Sequence, residues 1–189
     1  MWLDAADLQE FYTSPLGLIA HRMINAHVRE IWPDVSGMNV LGIGFPGPYL
    51  NAMRSEASRV LVAIPVSHGM TPPPNESFHK TCLTRESDLP FPDLSIDRIL
   101  MIHAVECAET MRPMMREIWR VLSGNGRLLV IAPNRRGIWA RLEHTPFGYG
   151  RPYTSSQLSR LLRETLFKPV HGSAALYAPP ARSRMILSS

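Results

Sequence analysis

Cysteine is scarce in this chain. Cys82 and Cys107 are the 2 thiols among 189 residues, and they form no C-x-x-C pair. That excludes a disulfide-stapled scaffold and a cysteine-built zinc ribbon, and leaves two buried thiols in a reducing compartment as the simple reading. Lysine is scarcer than arginine: Lys80 and Lys168 stand alone against a formal net charge of +4. The cations are scattered, and Arg135-Arg136 is the one adjacent pair. A nucleic-acid face needs clustered cations with interleaved aromatics, so nucleic acid is not expected as a partner. No apolar run approaches the roughly 18–20 residues of a membrane helix; the longest, near Leu128 to Pro133, is strand-length. Met1-Trp2-Leu3-Asp4 lacks the basic start and apolar stretch of a secretory leader. A cytoplasmic protein without a membrane partner is expected. With 45% hydrophobic and 19% charged residues, the composition is globular, and the length suits one domain.

The first strong pattern is a helix. Ser14 is placed to cap it and Pro15 to open it, and Leu16, Ile19, Ala20, Met23, Ile24, Val28 and Ile31 recur at three- and four-residue steps up to Pro33. A short apolar strand over 38–43 runs into Gly44-Phe45-Pro46-Gly47-Pro48. A helix is expected over 49–58, a strand over 59–65, a proline-rich loop over 67–78 and a short strand near 80–83. Ile99 to Ile102 reads as a buried parallel strand. Pro113 opens a helix that Gly124 is expected to stop, and a strand follows over 127–132. Thr154 and Gln157 form a capping box ahead of Leu158, Leu161, Leu162 and Leu166. Strands alternating with helices predict an α/β domain, a doubly wound and mostly parallel sheet with helices on both faces. One domain is expected over 1–189: a helical cap over 1–36, a core over 37–134, a loop or lid over 135–153, and a terminal helix and tail over 154–189.

Ligands of such sheets bind beyond the carboxyl ends of the strands. Gly42, Gly44 and Gly47 stand at the end of the first strand, where they make either a tight turn or a close backbone approach to a ligand. His103 and Glu106 follow the strand ending at Ile102. Their spacing suits one helix face, but no third ligand accompanies them, so no metal is expected. His103 is the candidate general base. Arg135, Arg136 and Arg141 either meet an anionic substrate or coat a loop. Phe147, Tyr149 and Tyr153 lie in a Gly/Pro-rich segment suited to a lid or to plain packing.

Three stretches carry a family resemblance. Val40-Leu41-Gly42-Ile43-Gly44 comes first. Leu89-Pro90-Phe91-Pro92-Asp93-Leu94-Ser95-Ile96-Asp97-Arg98-Ile99-Leu100 resembles the family pattern LPFPDxSFDxV. Glu117-Ile118-Trp119-Arg120-Val121-Leu122 with Gly124-Asn125-Gly126-Arg127-Leu128 resembles the helix and RVLKPGG turn that follow. Together they resemble the class I S-adenosylmethionine-dependent methyltransferases of the type 11 group, in a bacterial subgroup, over roughly residues 15–170. The resemblance implies a Rossmann-like fold, S-adenosylmethionine as cofactor with S-adenosylhomocysteine as product, and methyl transfer to a small-molecule acceptor. It places the cofactor against Gly42, Gly44, Phe45, Gly47, Ile64, Pro65, Glu86, Asp88, Leu89 and His103. The family pattern LDLGCGTG has an acid where Gly42 stands, and Ala63-Ile64-Pro65 lacks the carboxylate that grips the ribose. The other reading is a methyltransferase-like domain that has lost catalysis and binds a protein. Weak cofactor binding is expected, tightened by Ile64→Asp and removed by Gly44→Val without loss of fold. The family's strand order, 3-2-1-4-5-7-6, leaves little chain for the last two strands. Val170 to Tyr177 is expected as one of them, beside an open sheet edge that a second copy or a protein partner covers.

Overall fold

The computed structural model describes residues 5–68, 81–142 and 145–177. Two helices come first: α1 (Ala5–Thr13) and α2 (Pro15–Ile31). Ser14 Oγ accepts the Gly17 amide at 3.0 Å and Pro15 opens the helix, as the sequence predicts. Then follow β1 (Asn39–Gly44), α3 (Gly47–Leu50), β2 (Arg59–Pro65), β3 (Thr81–Thr84), β4 (Ile96–Ile102), α4 (Met111–Val121), β5 (Leu122–Ile131) and α5 (Ser155–Glu164). The five strands form one parallel sheet in the order β3-β2-β1-β4-β5.

Alternation along the strands divides the core into two layers. Val40, Val62, Ile64, Leu100 and Ile102 face one way and pack with α1 and α2 through Leu8, Tyr12, Ala20, Ile24 and Val28. Leu41, Ile43, Ala63, Ile99 and Met101 face the other way and pack with α4 and α5 through Met114, Met115, Ile118, Leu158 and Leu161. The central strands bury both faces, which is why they read as unbroken apolar runs.

The expected helix over 49–58 is a single α turn over Gly47–Leu50 followed by a 3-10 turn over Asn51–Met53. The chain must return at once into β2, and Ser58 N bonds Met38 O while Arg29 grips Glu56 at 2.8 Å. Met23 of the α2 stripe is exposed. Gly124 does not stop α4; Leu122 takes extended geometry and the chain runs directly into β5, with Gly124 inside the strand. The capping box on α5 forms as expected, but Leu166 lies beyond the helix at positive φ and is exposed. Val170 to Tyr177 makes no ladder, so the expected strand is absent; Ala175 and Leu176 pack instead against the α1–α2 layer. Most of the proline-rich loop lies outside the described residues. The helix α1 was not foreseen.

The stretches that carried the resemblance hold one another in place. Glu117 on α4 accepts the Leu89 amide at 2.9 Å. Arg120, one turn later, donates to the carbonyls of Leu89 and Phe91 and pairs with Asp93 and Glu117. The LPFPD turn is therefore fastened to α4 by one arginine fork and one carboxylate.

Candidate functional site

The carboxyl ends of β1 and β4 meet at a tight backbone junction. Gly44 has φ +92, and Phe45 N bonds Ile102 O at 2.9 Å. A Cβ on Gly44 would stand 2.2 Å from Ile102 O, so only glycine fits. This close approach is between two strands. At Gly42 a Cβ would strike Pro46 and Leu50, so no acid of the family kind fits there. The second and third glycines of LDLGCGTG fall on Pro46 and Pro48.

Above this junction sits a buried aromatic group. Tyr12 from α1 stacks on Phe45 at 5.9 Å and meets Tyr49 edge-on. Phe147 lies against His103 at 5.3 Å, against Trp139 at 5.7 Å and against Phe11 at 6.0 Å. The 3-10 turn over Pro146–Gly148 thus brings the expected lid residue Phe147 onto α1 and His103. Tyr149 is half-buried against the α1–α2 layer, and Tyr153 is half-buried on the opposite layer. Arg135 and Arg136 are exposed; Arg135 reaches the Pro152 carbonyl and neither enters the aromatic group.

His103 is 2% exposed and Glu106 3%. His103 holds φ +52, an unfavourable backbone state for a non-glycine residue directly after β4. Its Nε2 lies 2.8 Å from the Tyr12 hydroxyl, which accepts from the Tyr49 hydroxyl at 3.0 Å. Its Nδ1 lies 3.3 Å from Glu106 Oε1. Burial pushes the Tyr12 and Tyr49 phenols up, with Tyr49 and Glu106 adding to the effect on Tyr12. Both therefore stay neutral donors. The Cys107 thiol is pushed up to about 12 by burial, then by Glu106 and Glu86, so it is inert as a nucleophile.

Glu86 is also buried, and its acceptor sites are taken by Ser67 Oγ at 2.6 Å, Thr110 Oγ1 at 2.7 Å, and the amides of Glu109 and Thr110. Burial raises its pKa, but these hydrogen bonds outweigh burial and hold it below the ordinary carboxylate value. Asp88 is exposed, bridged to Arg85, and Leu89 is buried with its backbone fastened to α4. Ile64 is buried in the α1–α2 layer, and Pro65 ends β2. Ile64→Asp would therefore bury an unpaired carboxylate rather than offer one to a ligand. No group of three or more His, Cys, Asp or Glu among the described residues is arranged to hold a metal ion, and no described helix is long and apolar enough to cross a membrane.

A family model described as a methyltransferase domain matches residues 40–130. Over those residues, the sheet from β1 to β5, the chain is similar to that methyltransferase domain. Solved structures agree on the fold. An S-adenosylmethionine-dependent methyltransferase from Thermotoga maritima, described as a possible histamine N-methyltransferase, superposes with TM-score 0.65 at 16% identity, over 87% of this chain and 77% of that one. One from Archaeoglobus fulgidus gives TM-score 0.63 at 16% identity, over 83% and 71%. A Haloferax volcanii methyltransferase in complex with the Trm112 activator gives 0.60 at 16%, over 84% and 75%. No curated protein sequence matches.

S-adenosylmethionine is the cofactor of this class, and the methyltransferase domain fits it unevenly. The turn from Gly44 through Gly47 follows β1 directly, and Glu106 buries both oxygens without a hydrogen bond, with His103 Nδ1 3.3 Å from Oε1. The ribose side, at Ile64 and Pro65, offers no carboxylate. Glu86 already spends its oxygens on this chain's own donors. Tyr12 was missed because α1 carried too weak an apolar pattern to be read; Leu8 and Tyr12 at four-residue spacing were its signal.

Proposed function

We propose that the methyltransferase transfers its methyl group to a small-molecule acceptor held beneath α1, at the joined ends of β1 and β4. The observation that carries the reading is the buried aromatic group around His103, closed by Tyr12 on one side and Phe147 on the other. A site bordered by buried rings and a helix suits a compact, partly apolar acceptor.

The cofactor supplies an activated methyl on a sulfonium. The turn at Phe45 and Gly47, the backbone after β4, and Leu89 would hold it. The chain's own contribution is positioning: Arg120 and Glu117 fix Leu89, the Gly44–Ile102 junction fixes Phe45, and the rings of Tyr12 and Phe147 exclude water. His103 is the group placed to accept a proton. Without a ribose carboxylate the cofactor lacks the bidentate contact to both ribose hydroxyls, which weakens binding by about 1.5–3 kcal/mol.

Calorimetry with S-adenosylhomocysteine is expected to show weak but saturable binding. Incubation of the protein and tritiated donor with a cell extract is expected to label the deproteinised small-molecule fraction. Label recovered only in protein or nucleic acid would overturn the choice of acceptor class.

We also propose that β5 pairs with a second copy of this chain. Its outer edge has no neighbour among the described residues.

A further inference from the structure

Two arginines face each other at the amino end of the sheet, away from the site at the carboxyl ends. Arg98 on β4 stands between Val40 on β1 and Arg127 on β5. Ile102, at the far end of β4, is about 13 Å further along the strand. Residues side by side in a ladder point to the same face, and neighbouring strands are only about 4.8 Å apart, so the two guanidiniums repel. The ladder does not force this pairing. Ile96 pairs with Leu122, and an unshifted register would set Gly124 opposite Arg98. The register shifts between Ile96 and Arg98 and brings Arg127 there instead. Such irregularities re-aim side chains and are common beside functional sites.

Neither guanidinium is paired with an acid. Arg98 Nη1 donates to the Asp97 carbonyl at 2.8 Å. The Asp97 carboxylate is engaged elsewhere: Oδ2 accepts from the Asn39 amide at 2.9 Å and Oδ1 from the Ser123 hydroxyl at 3.1 Å. Arg98 Nε is buried and has no hydrogen-bond partner. Arg127 is exposed and makes no hydrogen bond or ion pair among the described residues. Burial first, and the Arg127 charge second, pull the Arg98 pKa below the ordinary arginine value, while Asp97 opposes them. Other half-buried arginines of the chain have a carboxylate at hand: Arg29 has Glu56 at 2.8 Å and Arg120 has Glu117 at 2.7 Å. A buried donor without an acceptor is costly, and a repulsive neighbour adds to the cost.

We propose that Arg98 and Arg127 form a binding site for a phosphate dianion, free or as the monoester of a small molecule. A guanidinium is a rigid fork of donors that matches phosphate oxygens, and two forks side by side suit the three terminal oxygens of one phosphate. The anion converts the repulsion into two charge-assisted contacts. A single carboxylate, with two oxygens and one charge, would leave one fork unserved. Leu129 and Ile131 continue the Arg127 face of β5 and are half-exposed, so the apolar part of an ester lies along them. The site stands apart from the strand ends at Gly44 and Ile102 and does not rest on the transferase reading.

Two measurements test it. The first is urea denaturation in chloride and in phosphate at equal ionic strength. In chloride, Arg127→Met should be at least as stable as wild type, because it removes the repulsion. In phosphate, wild type should gain stability as the anion saturates it, while Arg98→Met and Arg127→Met gain none and Arg127→Lys keeps part of the gain. Arg127 is exposed, so its variants serve even where Arg98→Met fails to fold. The second is nitrogen NMR of the arginine side chains, titrated with inorganic phosphate and with hexyl phosphate. The Arg98 Nε–H signal should shift and saturate, with Kd raised about tenfold or more in Arg127→Met. A tighter Kd for hexyl phosphate assigns the site to an ester, and equal values assign it to free phosphate. Loss of stability by Arg127→Met in chloride overturns the site. So does a phosphate gain that the variants share, or an Arg98 signal that moves without saturation or moves equally with chloride.

Discussion

Single residues at the strand ends serve backbone geometry before they serve a ligand. Gly44 is the example. A substitution there was expected to spare the fold, but its φ of +92 and the 2.2 Å approach of Ile102 O make it a structural requirement. Gly44→Ala is expected to cost at least about 1–3 kcal/mol from backbone strain alone, read as a lower urea midpoint at unchanged slope. Gly44→Val should be worse, so its loss of binding would not by itself locate the cofactor. Glu86 has a similar status. Burial works against its ionised form, and the donors of Ser67, Thr110 and Glu109 overcome that, leaving its folded pKa below 4.5. A depressed pKa contributes stability that is present above the unfolded value and lost as pH falls through the folded one. Glu86→Gln is therefore expected to be destabilised at pH 7, and the gap from wild type should close as pH drops below about 4.5. Urea denaturation at both ends of that window checks it; a gap that stays constant would show that Glu86 acts by shape alone.

Among the elements, the strands and the helices with clear caps were legible, and the reason is physical. β2 spans Arg59–Pro65 as read, because a strand buried on both faces is an apolar run with sharp ends. Ser14 with Pro15 and Thr154 with Gln157 announced two helix starts. Where one element flows into the next without a breaker, local pattern was silent: α4 passes into β5 at Leu122 with no glycine in the joint. The candidate site was half legible. His103 and Phe147 were found because they follow a strand and sit in a lid-like segment. Tyr12 and the clamp on Leu89 were not, since they depend on contacts between distant stretches. That clamp explains why the LPFPD turn and the α4 pattern occur together. Arg120 is the joint, so Arg120→Met should loosen the turn. The expected loss is about 1.5–3 kcal/mol for the charge-assisted bonds together, reduced by the partial exposure of the side chain, with faster amide exchange over 89–93. Unchanged exchange there would show that the turn holds itself.

The whole molecule presents an asymmetric sheet. One edge is β3, four residues long. The other is β5, ten residues long, whose outer side meets no strand among the described residues. The burial of the two neighbouring strands differs in a telling way. Ile99 to Ile102 on β4 are fully buried, whereas Leu128 to Ile131 on β5, directly across the ladder, are all half-exposed. Ala175 and Leu176 pack on the same side of the sheet as Leu129 and Ile131, and leave the cover incomplete. A long apolar edge with free amides and carbonyls is a template for another strand, and proteins rarely leave one bare. Pairing of two β5 edges would bury those residues and satisfy the outer backbone groups at once. Sedimentation at micromolar concentration is accordingly expected to show a dimer that weakens on dilution. Leu176→Lys places a charge on the adjoining apolar segment and should shift the equilibrium toward monomer without loss of helical signal. A protein that remains monomeric throughout the micromolar range would show that β5 is covered by its own chain or by a different partner, and the dimer would be abandoned.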